Sequence, residues 1–168
     1  IRGDRSAGRR HRGHGDPAQR VSMAEITIVN RGGELARVAA LLDRLAAEHR
    51  LAPEVVADMQ VALDEVLTNI AKFAHADDAE HRIDVRLRVL DDVLEAVVED
   101  DGAPFDPLAV PAPDVSAPLR ERRVGGVGIH FARNLLDELS YERIGERNRL
   151  VLRKRIRTGN GENRRGST

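Results

Sequence analysis

Cysteine is absent from all 168 residues, which excludes disulfides, thiolate nucleophiles and cysteine metal sites. Tryptophan is absent too, and the aromatics amount to three Phe and one Tyr. A core here must be built from Leu, Val, Ile and Ala. No apolar run approaches the roughly 20 residues of a membrane span, and no secretory signal precedes the periodic region. The expectation is therefore a cytoplasmic protein with no membrane partner.

Net charge is also nearly absent, at −1, but the balance conceals an asymmetry. Residues 1–22 carry six Arg against two Asp, and residues 153–168 carry six basic residues against one Glu. The body between them holds 15 basic and 25 acidic residues. An acidic body argues against a nucleic-acid groove. The Gly- and Arg-rich ends lack periodicity and read as disordered extensions, 1–22 and 157–168, around one domain at 23–156. Met23 looks like a natural start, and the preceding segment reads equally as a linker or an upstream extension. His11 and His14 in that segment read as solvated.

What is present is patterned. Glu25 to Val29 predicts a first strand, and Arg31-Gly32-Gly33 a turn. Leu35, Val38, Leu42, Leu45, Ala46 and His49 recur at helical spacing over 33–50. Pro53 then fits the first position of a helix over 53–75. Its residues Val56, Met59, Leu63, Val66, Leu67, Ile70, Phe73 and Ala74 share an arc of about 120°, a broad core-facing stripe. Glu65, Asn69 and Lys72 fall in an arc of about 60° beside it, with Asp58 earlier on the same side. By itself Glu65-x-x-x-Asn69 reads first as an i,i+4 hydrogen bond on a helix edge. His75 suits the negative end of this helix. It and His49 read as structural, and no spacing announces a metal site.

Ile83, Val85, Leu87 and Val89 alternate with Asp84, Arg86 and Arg88 in a half-buried strand, and Asp91-Asp92 turns it into another. In the second strand Asp100 shares a face with Leu94, Ala96 and Val98, whereas Glu95, Glu99 and Asp101 point the other way. Asp100 therefore projects toward the helices, where an ionised carboxylate needs a partner, a backbone amide or a ligand. Pro107, Pro111, Pro113 and Pro118 forbid regular structure over 107–124, a long loop of the kind that serves as a lid. Arg120, Arg122 and Arg123 close it just before Gly125-Gly126-Val127-Gly128, where a helix start offers free N–H groups to an anion. A third helix follows through Ile129, Ala132, Leu135, Leu136 and Leu139. A hairpin then joins Tyr141–Ile144 to Leu150–Ile156 around Gly145-Glu146-Arg147-Asn148.

Three motifs stand in a fixed order: Glu65-x-x-x-Asn69 on a helix, Asp100-x-Gly102-x-x-Phe105, and Gly125-Gly126-x-Gly128-Ile129. Together they resemble the GHKL (Bergerat-fold) ATP-binding superfamily over roughly residues 24–156. The short chain and the Phe105-Asp106-Pro107 continuation look most like the bacterial anti-sigma-factor serine/threonine kinases. The resemblance implies an α+β two-layer sandwich, a mixed, largely antiparallel sheet covered on one face by three helices. It implies ATP and Mg²⁺ as cofactors, Asn69 as the metal ligand and Glu65 as general base toward an incoming hydroxyl. Asp100 would accept from the exocyclic amine of adenine, with Gly102 letting backbone approach the base. Gly125, Gly126, Val127 and Gly128 would cradle phosphates, and Phe105 and Arg123 would complete the pocket. Lys72 departs from the commonest anti-sigma-kinase pattern and resembles the N-x-x-K of histidine kinases. Relatives often carry Ser or Thr on the last strand near adenine, where this chain has Asn148 or Val151.

The implied activity is phosphorylation of a serine on an anti-sigma factor antagonist, with sequestration of a sigma factor by a homodimer. Two other readings stand beside it. One is a binding module that uses ATP without transferring phosphate. The other is an ATPase domain from a larger phosphatase or histidine-kinase signalling protein, although no phosphoacceptor helix precedes the domain.

Overall fold

A computed structural model describes residues 22–156 apart from 32, 76–78, 107 and 110–126. Residues 1–21 and 157–168, the expected lid apart from Leu108 and Ala109, and Gly125 and Gly126 lie outside the described residues, and Arg123 with them. The elements run β1 (Ser22–Val29), α1 (Leu35–His49), α2 (Pro53–Phe73), β2 (Arg82–Leu90), β3 (Val93–Asp100), α3 (Val127–Leu135), β4 (Glu138–Ile144) and β5 (Arg147–Arg155). Three helices cover one face of a five-stranded sheet ordered β1-β2-β3-β5-β4. This is the two-layer α+β sandwich expected.

The sheet is antiparallel at all four pairings rather than mixed. Chain connectivity gives the reason. Two antiparallel helices join β1 to β2, so β2 returns in the opposite sense. The single helix α3 joins β3 to β4, which run the same way, but β5 is inserted between them and pairs antiparallel with both.

Local chemistry sets the element ends. Arg50 takes the left-handed region at φ 52°, and its N–H reaches the carbonyls of Ala46 and Ala47 while Leu51 N–H returns to Ala46. That closure satisfies carbonyls the end of α1 would otherwise leave open. Pro53 starts α2, where its missing N–H has no helical partner to lose. The core between layers is aliphatic: Leu42, Met59, Leu63 and Leu67 meet Leu87, Leu94 and Leu152, all fully buried. None of the three Phe is buried.

Four local expectations are corrected. Phe73 is 59% exposed, not core. It closes α2 and sits at the edge of the apolar arc nearest Asn69, where the helix overhangs a pocket. Helix α3 ends at Leu135, and Leu139 lies in β4. Asp137 ends the helical run by joining the sheet, its N–H on Arg153 O and its carboxylate on Arg155 N–H. Arg147 and Asn148 are paired residues of β5, because the turn needs only Gly145, at φ 59°, and Glu146. Strand β1 starts at Ser22, three residues early, because its pairing with β2 continues to Val89. Among the described residues no helix is long and apolar enough to cross a membrane.

Candidate functional site

The C-terminal half of α2, the end of β3, the start of β5 and the first turn of α3 enclose a pocket with an empty volume of about 380 Å³. Its lining includes Asn69, Asp100, Phe105 and Asn148 from the sequence expectations, together with Phe73 and Ile129. These residues span 80 positions of the chain, and four elements bring them together.

At one end stands Asp100, 1% exposed and directed to the helix layer as strand parity required. Its Oδ1 accepts from Gly102 N–H at 2.8 Å and from Asn148 Nδ2 at 2.9 Å. Among the described residues its Oδ2 has no hydrogen-bond partner. Gly102 is locked by space, not by dihedral angle. A Cβ there would lie 2.5 Å from Ala74 Cβ and 2.7 Å from Ala74 O. The turn is pinned to α2 by Ala103 N–H on Ala74 O at 2.8 Å. Any side chain at 102 must push the strand end away from the helix.

At the other end, Asn69 Nδ2 donates to Glu65 Oε1 at 2.7 Å. A carboxylate can only accept, so this contact fixes the amide orientation. The carbonyl oxygen of Asn69 is then left without a hydrogen bond among the described residues, and it is the atom a hard cation would take. Gly128 packs onto the same carboxylate. A Cβ there would fall 1.8 Å from Glu65 Cδ and 2.0 Å from its Oε1. The first turn of α3 therefore faces Glu65, and its unpaired N–H groups favour negative charge. The backbone of α3 begins at Val127.

Two other residues from the sequence expectations lie apart. Lys72 is exposed and lines a separate depression with Thr68, Ala71, Asn30 and Arg31. Asp58 is held by Lys154 Nζ at 2.7 Å, and the same ammonium caps α3 through Leu135 O.

Sequence spacing did not reveal Tyr141 and Arg143, which reach Asn148 from β4, or a cluster beside the pocket. In that cluster His75 Nε2 is 3.0 Å and His81 Nδ1 3.6 Å from Asp101 Oδ1. The hydrogen bond from His75 holds the Asp101 carboxyl below its usual range. Three potential ligand atoms converge here. The imidazole rings, however, stack 3.5 Å apart with only 15° between their planes. Imidazole lone pairs lie in the ring plane, so near-parallel stacked rings do not aim at one ion. The cluster instead buttresses Asp101, leaving Asp100 as the acid that faces the pocket.

The model of the histidine kinase-like ATPase domain matches residues 28–154. The serine-protein kinase RsbW of Listeria monocytogenes serovar 1/2a is 28% identical over 102 residues, a match covering 58% of this chain and 65% of that protein. The serine/threonine-protein kinase BtrW of Bordetella bronchiseptica is 27% identical over 111 residues, covering 66% and 78%. RsbW of Bacillus subtilis is 29% identical over 90 residues, covering 50% and 55%. The match thus spans just under two thirds of the Listeria protein. Among solved structures, the RsbU and RsbW domains of a Mycobacterium tuberculosis protein superpose with a TM-score of 0.55 at 18% identity, covering 80% of this chain and 32% of that one. At that identity the likeness is one of fold.

Proposed function

This chain belongs to the histidine kinase-like ATPase domain family, and from that premise we propose that it binds Mg²⁺-ATP and phosphorylates a serine on an anti-sigma factor antagonist. The observation that carries the nucleotide reading is Asp100. It is a buried carboxylate with one oxygen satisfied by neutral donors and the other unpartnered at a pocket. Adenine presents an amine to such an acceptor, whereas guanine presents a carbonyl and would leave it unpaired or repelled. Gly102 lets the turn pack on Ala74 and donate to Asp100, and Phe73 and Phe105 line the same pocket, where they would flank a flat base. The polyphosphate would run toward the first turn of α3.

The residues present fit a magnesium ion, through the free carbonyl oxygen of Asn69. Asn69 would hold such an ion, which would supply positive charge to offset the phosphates. Glu65 would receive the proton of an incoming serine hydroxyl. The serine oxygen forms its bond to the γ-phosphorus, the bond to the β,γ-bridging oxygen breaks, and ADP departs. Kinase names among the relatives support this reading, as does the apposition of Glu65, Asn69 and Gly128. A sigma factor as second ligand, a homodimer and a cytoplasmic location belong to the same proposal.

Calorimetry against ATP and GTP tests the binding reading, and equal affinity would sink it. For the chemistry, Glu65→Gln should still bind ATP yet transfer phosphate to a matched antagonist about 10²–10⁴ times more slowly. A variant that transfers at the parent rate removes Glu65 as the base. A parent that binds ATP but transfers none would make nucleotide a structural ligand.

A further inference from the structure

Strand β5 lies between β3 and β4, and its register sets Asn148 opposite Asp100 on one side and Arg143 on the other. Asn148 is 3% exposed, and its hydrogen-bonding capacity is full. Its Nδ2 faces three acceptors: Asp100 Oδ1 at 2.9 Å, Ala103 O at 3.1 Å and Gly102 O at 3.3 Å. Its Oδ1 accepts from Tyr141 Oη at 2.9 Å and Arg143 Nη1 at 2.8 Å. The orientation is chemically forced. Turning the amide over would set its NH₂ against a guanidinium that only donates, and its oxygen against carbonyls and a carboxylate. An amide with two donors and two lone pairs so engaged has nothing left for a base.

Resting on the nucleotide reading above, we infer that Asn148, Arg143 and Tyr141 form a latch that positions Asp100 and so sets selectivity for a 6-aminopurine. The side chain of Asn148 is a positioning residue, not a base contact. Two N–H groups on Oδ1 fix the plane of the Asp100 carboxylate, which leaves Oδ2 as its ligand-reading atom. Arg143 Nη1 also holds Gly102 O at 2.8 Å, so one guanidinium fixes both the amide and the turn. A cation donating to the amide oxygen polarises the amide and strengthens its donation onward to Asp100. Arg143 sits partly exposed on the edge strand, so its truncation spares the core, whereas the Tyr141 ring packs against the core and only its hydroxyl is removed in the test.

The test compares two ligands on the whole chain: ATP and the triphosphate of purine riboside, which lacks only the exocyclic amine. The parent should bind ATP at least about tenfold more tightly. Arg143→Ala should weaken ATP by about five- to tenfold, leave the purine analogue within about twofold, and so collapse the ratio. Tyr141→Phe should act in the same direction, less strongly. Arg143→Lys, which keeps the charge and one donor, should recover part of the ratio. Asn148→Ala, if folded by circular dichroism, should lose the discrimination almost fully. Equal weakening of both ligands by Arg143→Ala would mean a merely structural role and overturn the latch. So would a ratio unchanged in all the variants. A parent that binds neither nucleotide would overturn the nucleotide reading and the latch with it. A parent that binds both alike would overturn Asp100 as the reader of the amine.

Discussion

Strand β3 buries two carboxylates five residues apart, on opposite faces of one sheet. Glu95, 0% exposed, lies on the face without helices, between Arg88 Nε at 2.5 Å and Arg153 Nε at 2.8 Å. Each of its oxygens takes a guanidinium. Asp100 lies on the helix side with only neutral donors, both on one oxygen. Burial alone therefore does not distinguish a structural acid from a binding one. What distinguishes them is the acceptor capacity left over, and where it lies. Glu95 completes a row of charges that closes the open face, and Asp100 leaves an acceptor at a pocket.

The sharpest way to break the comparison is to remove Glu95. Glu95→Ala leaves two guanidinium groups without their shared partner and should cost about 3 kcal/mol by urea unfolding. The figure sits at the low end for a buried pair because Arg88 and Arg153 are each about a third exposed and can turn to water. Nucleotide affinity of the folded fraction should not change. Acid sharpens the same point. Burial pushes the Glu95 carboxyl up, but hydrogen bonds from Arg88 and Arg153 outweigh it and hold the group below its usual range. A depressed folded value means this stabilisation is complete above the ordinary carboxylate range. It is lost as pH falls through the lower folded value. Parent stability should therefore drop below about pH 4, and the drop should be shallower in Glu95→Ala. A parallel acid dependence would remove Glu95 from that role.

The reverse substitution probes the other face. Asp100→Asn keeps the shape, and its carbonyl can still accept from Gly102 N–H. Stability should change by under about 1 kcal/mol. ATP affinity should fall by about 2 kcal/mol, roughly thirtyfold, because a charged acceptor for the amine is lost. A large stability loss with affinity preserved would make Asp100 a second Glu95.

This contrast was half legible in the sequence. Period-two alternation told Asp100 from its neighbours Glu99 and Asp101 and sent it toward the helices, where the structure finds it. The structural reading of both key motifs holds, and it uses up neither group. Asn69 does make an i,i+4 bond to Glu65, and Asp100 does accept from a backbone amide. Neither bond uses the whole group, and the remaining atoms are the ones available to a ligand. Periodicity could not show Glu95 as buried, because its cover is two long arginine stems from neighbouring strands. Nor could it show the latch. Placing Asn148 in the turn concealed its register with Asp100, and a two-residue turn at Gly145 sets that register. The misread of Phe73 has a different origin: a residue at the margin of an apolar arc is equally well placed to line the core or the pocket.

The smallest effect belongs to a third acid, Asp84, on the open face but near its rim. Asp84 Oδ2 takes Arg147 Nη2 at 2.6 Å, and Oδ1 takes Thr27 Oγ1 at 2.7 Å. Burial raises its carboxyl, but those two hydrogen bonds and the Arg147 charge outweigh it, so the group is held below its usual range as Glu95 is. The resemblance ends at solvent: Arg147 is 45% and Asp84 33% exposed. Water already stabilises both charges there, so pairing them adds little. Arg147→Ala should cost about 0.5 kcal/mol at low salt. In about 1 M NaCl, where screening acts over roughly 3 Å, the difference should vanish. The loss in Glu95→Ala should persist there, because its carboxylate is out of reach of solvent ions. A salt-independent loss above about 2 kcal/mol in Arg147→Ala would place Asp84 with Glu95 and show that the whole open face, not only its centre, behaves as interior.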